Sequence, residues 1–307
     1  MPMALVLTLR ATQAAILPAA LGRANYEAVL ERMHQFNPAL YAELINGKGS
    51  SPLTCSGLLQ ETNSGNETIY INPAISYQVR VTGLTVPVCQ FLQAAFIEHS
   101  PEVWRLHNHA FAVTEVRCDT KLHPWSGRTT YDAMAYYHLY GQRMPLDHVT
   151  LNFHSPTACT DRTMIHAVPL PNLVFGNLLE RWNEFAEVTL EPAVVQFAKN
   201  HMAISSFQLH TQSIYQVGNK QRTGCVGQVT YKALHGDSYQ RALIQLLADF
   251  AFYGGVGMET TFGMGQVYRA SLYTDKHSRD KNQTSRRRGI RTNRPSDIST
   301  ARIKIVE

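Results

Sequence analysis

The sequence contains few cysteines, and their arrangement excludes two common roles. Its five cysteines are odd in number and form no Cys-x-x-Cys pair: Cys55, Cys89, Cys118, Cys159 and Cys225. This pattern argues against a disulfide framework and against a zinc site built from thiolates. His107 and His109 have no Cys, Asp or Glu at metal-ligand spacing, so we assign no metal and no other cofactor. We expect free thiols in a reducing compartment.

Long apolar runs and a leader pattern are also lacking. The chain has no run of about 18 or more apolar residues, which is the minimum for a helix that spans a bilayer. Its first residues do not show a basic region followed by an apolar core and a cleavage site. The sequence therefore predicts a soluble, cytoplasmic protein that has no membrane among its partners.

Charged residues make up only 17% of the chain, and they are unevenly distributed. Residues 275–307 contain ten Lys and Arg but four Asp and Glu, a balance of +6, whereas the whole chain carries +5. Five arginines carry much of this charge: Arg286, Arg287, Arg288, Arg291 and Arg294. The apolar fraction of 44% is sufficient for a core. We expect a folded, nearly neutral body and a basic tail that contacts phosphate or a partner.

Glycines are concentrated in residues 254–265, here called the glycine loop, which holds five of the chain's 19 glycines. A predicted helix precedes the loop and a predicted strand follows it, which is the reverse of a dinucleotide fingerprint, and no Walker Lys-Ser/Thr follows. Successive backbone N–H groups in such a loop can bind an anion, so nucleic-acid phosphate is one interpretation. The candidate residues for this contact are Gly254, Gly255, Gly257, Thr260, Thr261, Gly263 and Gly265. Close packing of the last helix on a sheet is the alternative.

The hydrophobic pattern predicts two similar units followed by the tail. In the first unit, strands are expected at 4–10, 53–59, 67–71, 76–82 and 110–116, and helices at 22–33, 39–45 and 84–99. In the second unit, strands are expected at 149–153, 223–231 and 265–273, and helices at 172–187 and 237–253. Each series is close to a ferredoxin-like β-α-β-β-α-β plan. The predicted domains are 1–122, 123–274 and the tail 275–307.

Two aromatic segments are open to more than one interpretation. Residues 129–140 contain four tyrosines, which either stack on bases or pack between the domains. Arg181 and Trp182 form a candidate base-stacking pair, but Trp182 in an amphipathic helix is more often a core residue.

Three segments resemble the CRISPR-associated repeat-RNA-processing endoribonucleases, the sixth Cas protein of the RAMP superfamily. The glycine loop has their Gly-Val-Gly…Thr…Gly-Met-Gly pattern. Leu-Asn-Phe-His-Ser-Pro-Thr at 151–157, with Val-Pro-Leu-Pro-Asn-Leu-Val-Phe at 168–175, is similar to the opening of their second domain. Asn-Pro-Ala-Leu at 37–40, with Pro-Leu-Thr-Cys-Ser at 52–56, resembles their first helix and the strand after it. The resemblance covers most of residues 1–273.

The resemblance implies an α+β fold of two tandem ferredoxin-like (RRM-related) domains with a C-terminal glycine-rich loop. It also implies metal-independent cleavage of CRISPR repeat RNA into guide RNAs. The product's stem-loop is often retained and passed to other subunits of an interference complex. The partners expected from it are therefore repeat RNA, guide RNA and such subunits.

Metal-free RNA cleavage needs a base, an acid and a cation near the scissile phosphate. Family members place a histidine on or just after the first helix, sometimes with Tyr and Lys. In this chain His34 is the candidate base or acid, Lys48 the candidate cation, and Tyr41 and Tyr26 further candidates. One form of the family has a histidine where this chain has Ile45. Among the other histidines, His154 and His166 flank the Ser-Pro-Thr motif and are weaker candidates for RNA contact.

Two other functions remain open from the sequence. The first is a catalytically inactive RNA-binding subunit that caps the guide RNA, which the missing histidine at Ile45 favours. The second is a protein-interaction scaffold that binds no RNA. Cleavage of RNA would distinguish an enzyme from the inactive subunit. Salt-sensitive affinity for RNA would distinguish either of these from the scaffold.

Overall fold

The first half is built around a central strand that is apolar on both faces. The computed structural model describes residues 1–60, 67–141, 144–161, 164–216 and 220–270. Strand β1 (Met3–Ala11) is buried over nearly all of its length and pairs on both sides. The further strands of this half are β2 (Ala15–Pro18), β3 (Leu53–Leu58), β4 (Thr68–Ile71), β5 (Ser76–Gly83), β6 (Val103–Leu106), β7 (His109–Arg117) and β8 (Gly127–Arg128). The sheet order is β3-β5-β1-β7-β6, and β8 also pairs with β1.

Three helices accompany this sheet. They are α1 (Gly22–Phe36), α2 (Pro38–Asn46) and α3 (Val86–Leu92), the last of which continues as a π-helical turn over Gln93–Glu98. Buried Asn25 fixes α1, because its amide donates to the carbonyls of Ser56 and Arg80 and its oxygen accepts from the Trp104 indole. A buried amide with all three bonds made specifies one docking position for the helix.

The second half has the same plan around strand β9 (His148–Thr157). The connector between the halves contributes α4 (Tyr131–Ala135), which continues as a π-helical turn over Tyr136–Tyr140. The later elements are β10 (Cys159–Asp161), β11 (Met164–His166), α5 (Pro171–Phe185), α6 (Ala193–His201), β12 (Met202–Gln216), β13 (Lys220–Ala233), α7 (Ser238–Gly254) and β14 (Val267–Arg269). The main sheet runs β12-β13-β9-β14.

Both halves therefore have a ferredoxin-like topology. In the first half the series β1-α1-β3-β5-α3-β7 gives the sheet order second, third, first, fourth strand. In the second half β9-α5-β12-β13-α7-β14 gives the same order. The predicted fold class, two tandem ferredoxin-like units of α+β type with a C-terminal glycine-rich loop, is confirmed.

Each half has its own apolar core, but the described chain up to Ala270 forms one compact unit. A small third cluster of Val6, Leu59 and Trp125 lies where the connector meets the two halves. The predicted boundary between residues 122 and 123 stays a prediction, and β8 extends the first sheet beyond it.

The structure differs from the predicted elements in several places. The predicted strand at 67–71 forms, but β4 pairs with β2 in a separate two-stranded sheet. The elements that were not predicted are helix α6 and the strands β2, β6, β8, β10, β11 and β12. The basic tail 275–307 lies outside the described residues, as do Arg286, Arg287, Arg288 and Arg291. Within the described part of the chain, no helix is both long and apolar enough to cross a bilayer.

Candidate functional site

The corner between α1 and α2 brings two of the predicted catalytic residues together. Asn37 ends α1 and caps α2, because its side chain accepts from the Leu40 N–H at 3.0 Å and Pro38 occupies the first turn. This corner places the exposed imidazole of His34 edge-on against the ring of Tyr41, with centroids 4.9 Å apart and an interplanar angle of 74°. An exposed histidine in this position can accept or donate a proton.

Tyr26 lies about two turns earlier on α1 and is half-buried. Its ring meets Phe262 of the glycine loop edge-on at 5.5 Å, and its hydroxyl bonds to the Ser51 side chain. Burial raises the pKa of Tyr26, with smaller contributions from Cys55 and Tyr41 that exceed the opposing effect of Ser51. Tyr26 is therefore a neutral phenol at physiological pH, which suits it to donate a hydrogen bond or a proton and not to act as a base.

Lys48 is exposed in the turn that links α2 to β3, residues 47–51, here called the lysine turn. Because the side chain of Ser51 bonds to Tyr26, this turn adjoins the same face of α1. The structure thus collects Tyr26, Tyr41 and His34 on one face, with Lys48 in the adjoining turn.

The backbone donors of the glycine loop are largely used inside the protein. The N–H of Gly255 donates to Ala251, that of Val256 to Gly265, and that of Gly257 to the Asn177 side chain at 2.7 Å. Met258 and Gly265 also donate to carbonyls, those of Ala158 and Pro156. The N–H groups of these residues do not form the open anion nest considered from the sequence, because they already have partners. The glycines here allow close approach of backbone to backbone, since a Cβ built on Gly257 would lie 2.2 Å from the Ala158 carbonyl oxygen.

The tip of the glycine loop packs backbone to backbone on the first half. Gly263, with φ of +98°, pairs with Ser56 in an isolated bridge. A Cβ built on Gly22, the first residue of α1, would lie 2.2 Å from the Phe262 carbonyl oxygen. Thr260 is buried in the loop and Thr261 is half-buried. Glycine is required here for close approach between the halves, and RNA contact by these residues stays a prediction.

Behind this contact lies a groove of about 480 Å³ between the two halves. Its lining includes the tip of the glycine loop, the start of α1 and two histidines from the second half, His154 and His210. His154 lies in β9, and its Nε2 is 2.9 Å from the Leu59 carbonyl oxygen. His210 comes from β12, which was not predicted, so no sequence signal indicated its place in the groove.

Arg23 is a further residue that the sequence analysis missed. Its guanidinium lies 4.1 Å from the centre of the Phe262 ring, and its Nε is buried with no hydrogen-bond partner among the described residues. The side chain sits in the first turn of α1, which contains no acidic residue. A cation at the positive end of a 15-residue helix favours the approach of an anion. In the sequence, the position of Arg23 at the start of the predicted helix could have indicated it as a candidate for anion contact.

Buried Arg80 ties the site to the second half. From β5 its guanidinium donates to the Trp125 carbonyl at 2.9 Å, to the Gln266 side chain at 2.9 Å, and to the Phe252 carbonyl. Gln266 directly follows the glycine loop and is 1% exposed. The loop and the first sheet are thus held in a fixed relation.

The aromatic segments are largely structural. Trp182 is fully buried and its indole donates to the Val188 carbonyl at 2.8 Å, which excludes it as a base-stacking platform. Tyr131 is buried and donates to Leu84 of the first half at 2.9 Å, which supports packing between the halves. Tyr136, Tyr137 and Tyr140 are exposed. No cluster of three or more His, Cys, Asp or Glu that could hold a metal ion occurs among the described residues.

Comparison with known proteins gives concordant matches. A family model described as CRISPR-associated endoribonuclease Cas6 matches residues 151–267. The Streptococcus thermophilus CRISPR-associated endoribonuclease Cas6 is 26% identical over 117 residues, which are 38% of this chain and 47% of that protein. The chain thus matches about half the length of this curated relative.

Solved structures extend the likeness to most of the chain. Thermus thermophilus Cas6 has a TM-score of 0.67 at 20% identity, over 88% of this chain and 98% of that one. The same protein in a product complex gives 0.72 at 21%, over 88% and 100%. A second Cas6 protein, solved with a substrate mimic, gives 0.64 at 25%, over 87% and 98%. Residues 151–267 are similar in sequence to the CRISPR-associated endoribonuclease Cas6, and the described chain has the fold of Cas6 proteins, so the resemblance predicted from the sequence is confirmed.

Proposed function

We propose that the protein is a metal-independent endoribonuclease that cleaves CRISPR repeat RNA into guide RNAs and retains the stem-loop of the product. The observation that carries the proposal is the exposed His34 imidazole held against Tyr41 beside the Tyr26 face and the lysine turn. The family match and the likeness to Cas6 proteins solved with a product and with a substrate mimic support it.

The reaction needs no group outside the chain and the RNA. A base takes the proton of the 2′-hydroxyl, the 2′-oxygen attacks the adjacent phosphorus, and the bond to the 5′-oxygen breaks. The leaving oxygen then takes a proton from an acid, and a cyclic phosphate remains on the other fragment. In this mechanism His34 supplies one of the two proton transfers. Tyr26, which keeps its proton, supports a developing negative charge as a donor.

Cations stabilise the doubly charged phosphorane in the same mechanism. Lys48 is the candidate named from the sequence, and Arg23 at the start of α1 is the candidate added by the structure. The groove beside the glycine loop and the basic tail are proposed to hold the rest of the RNA by phosphate contacts and contacts to unpaired bases. Other subunits of an interference complex are proposed partners of the product complex.

The non-catalytic RNA-capping subunit remains the second candidate because of Ile45. This side chain is 50% exposed at the end of α2, where one form of the family has a histidine. Under this proposal the protein binds repeat RNA tightly and leaves it intact.

Cleavage of the host's own repeat RNA in EDTA tests both candidates. The wild type, His34→Ala and His235→Ala are compared under enzyme excess, each with native RNA and with RNA that carries a 2′-deoxy residue at the cut site. His235 is the matched control because it is an exposed histidine in the second half. We expect His34→Ala to cleave about 100-fold or more slowly, in line with the loss of one proton-transfer group. His235→Ala should retain the wild-type rate.

Each outcome separates the candidates. Cleavage that the 2′-deoxy residue and His34→Ala both block supports the enzyme with His34 in its site. Cleavage that survives His34→Ala contradicts the role of His34. Tight, salt-sensitive binding without cleavage by the wild type supports the capping subunit.

A further inference from the structure

The lysine turn of the first half is held by a helix of the second half. Oε1 of Glu184, in the last turn of α5, accepts a hydrogen bond from the Ser50 N–H at 2.7 Å. Gly49, the residue before it, has φ of +113°, and a Cβ built there would lie 2.6 Å from the same carboxylate oxygen. The turn therefore has the conformation and the small residue that allow the carboxylate to approach its backbone.

A second side chain of α5 reaches the same turn. Arg181, one helical turn before Glu184, is 7% exposed, and its Nη2 lies 3.5 Å from the Ser51 carbonyl oxygen. Burial lowers the pKa of Arg181, and the neighbouring Glu184 carboxylate opposes that shift. Helix α5 thus presents an acceptor and a donor to successive residues of one turn.

The held turn leads directly to the candidate catalytic face. The Ser51 side chain bonds to the Tyr26 hydroxyl and also accepts from the Leu53 N–H at 3.2 Å, where β3 begins. Lys48 lies two residues before Ser50. A displacement of the turn therefore moves both the bonding partner of Tyr26 and the backbone that carries Lys48.

We propose that Glu184 is a positioning residue for RNA cleavage: its carboxylate fixes the lysine turn so that Lys48 and Tyr26 are presented to the RNA in one geometry. The inference rests on the proposed function. It makes the site composite, because a residue of the C-terminal half sets the geometry of groups in the N-terminal half. An ionised acceptor bonds an N–H more strongly than a neutral one, and misplacement of catalytic groups by about 1 Å can reduce a rate about 100-fold.

The test compares Glu184→Ala, Glu184→Gln and the control Glu180→Ala, whose side chain is exposed on the same helix. Cleavage is measured with RNA saturated by enzyme, so that the rate reports the site and not affinity. We expect Glu184→Ala to lower the rate about 10- to 100-fold while RNA affinity stays within about twofold. Glutamine keeps an acceptor oxygen and should restore the rate to within about threefold of the wild type, and Glu180→Ala should be unchanged.

Two results of the cleavage assay overturn the proposal. One is a wild-type rate for Glu184→Ala, and the other is a loss of rate that glutamine does not restore. Amide hydrogen exchange of residues 49–51 supplies a readout that does not depend on activity. Faster exchange in Glu184→Ala than in Glu180→Ala supports the fixing of the lysine turn by Glu184. This support stands even if the wild type cleaves no RNA, because absence of cleavage would refute the proposed function alone. Equal exchange in the two variants overturns the proposal.

Discussion

At the scale of single residues, one close approach between the halves is made by backbone atoms. Gly22 begins α1 directly against Phe262 and Gly263, where any side chain meets main-chain atoms that cannot rotate away. Gly176, in α5, is different, because a Cβ built on it would meet Val195 at an ordinary 3.5 Å. The same substitution to alanine should therefore affect stability differently at these two positions.

Gly22→Ala should lower the free energy of unfolding by about 1–3 kcal/mol, because the added methyl group overpacks a rigid contact. Gly176→Ala should leave it unchanged or raise it by up to about 1 kcal/mol, because alanine is the better helix former. Urea denaturation of both variants measures the two effects. Equal changes in stability would show that the glycine-loop contact does not constrain Gly22.

The family resemblance predicted part of the candidate site. His34, Tyr41 and Tyr26 could be named because members of that family place a histidine, sometimes with Tyr and Lys, on or just after the first helix, and the structure brings the three residues onto one face. Glu184 could not be named, because it is an ordinary exposed glutamate whose partner lies 134 residues away along the chain. A contact over that separation depends on how the halves dock, which no local pattern encodes.

At the scale of elements, β5 stabilises the fold by a side chain as well as by its backbone pairing. Its Arg80 is 1% exposed and reaches past the first sheet to the connector, to α7 and to the residue after the glycine loop. The ring of Phe252 also lies against the guanidinium, with its centroid 4.5 Å away. This buried cation, with its three acceptors, holds together elements that belong to different halves.

Arg80→Ala should cost about 3–5 kcal/mol of stability, because three buried acceptors lose this donor and a cavity is left. Arg10→Ala, on the neighbouring strand with an exposed side chain, should change stability by less than about 0.5 kcal/mol. Thermal and urea unfolding of the two variants provide the comparison. If Arg80→Ala lowers the free energy of unfolding by less than 1 kcal/mol, the hydrogen bonds of Arg80 contribute little to stability.

The elements that were predicted are those with strong apolar periodicity and clear ends. Strand β12 was missed because it is the edge strand of its sheet and pairs only with β13, so its pattern is not that of a buried strand. Phe207 in this strand is 70% exposed. Strand β4 was found but not its partner, since Ile69 pairing with Leu17 is a matter of register that the local sequence does not specify.

At the scale of the whole molecule, buried thiols couple stability to alkaline pH. Burial raises the pKa of Cys89, Cys159 and Cys225 to about 12 in the folded protein, whereas an unfolded thiol titrates near pH 8.5. The folded state therefore keeps these protons where the unfolded state loses them. Their contribution to stability is complete below about pH 8.5 and declines as the pH rises towards 12.

Each such thiol should reduce the free energy of unfolding by about 1.4 kcal/mol per pH unit in that window. Cys159→Ser removes one titrating group from the core of the second half, so its stability should fall with pH less steeply than that of the wild type by about that amount. Urea midpoints collected between pH 7 and 10.5 measure the slope. Equal slopes for the two proteins would contradict the raised pKa of Cys159 in the folded protein.

The hydrogen bond between Arg80 and Gln266 joins residues 186 positions apart. The ribosome therefore synthesises the two residues at different times. On a ribosome that adds about 5–20 residues per second, Arg80 is synthesised roughly 10–40 s before its partner. During that interval the first sheet can pair its strands, but its central cation lacks two of its acceptors, Phe252 and Gln266. The nascent N-terminal half therefore exposes unpaired donors of Arg80 until residues 252–266 have been synthesised.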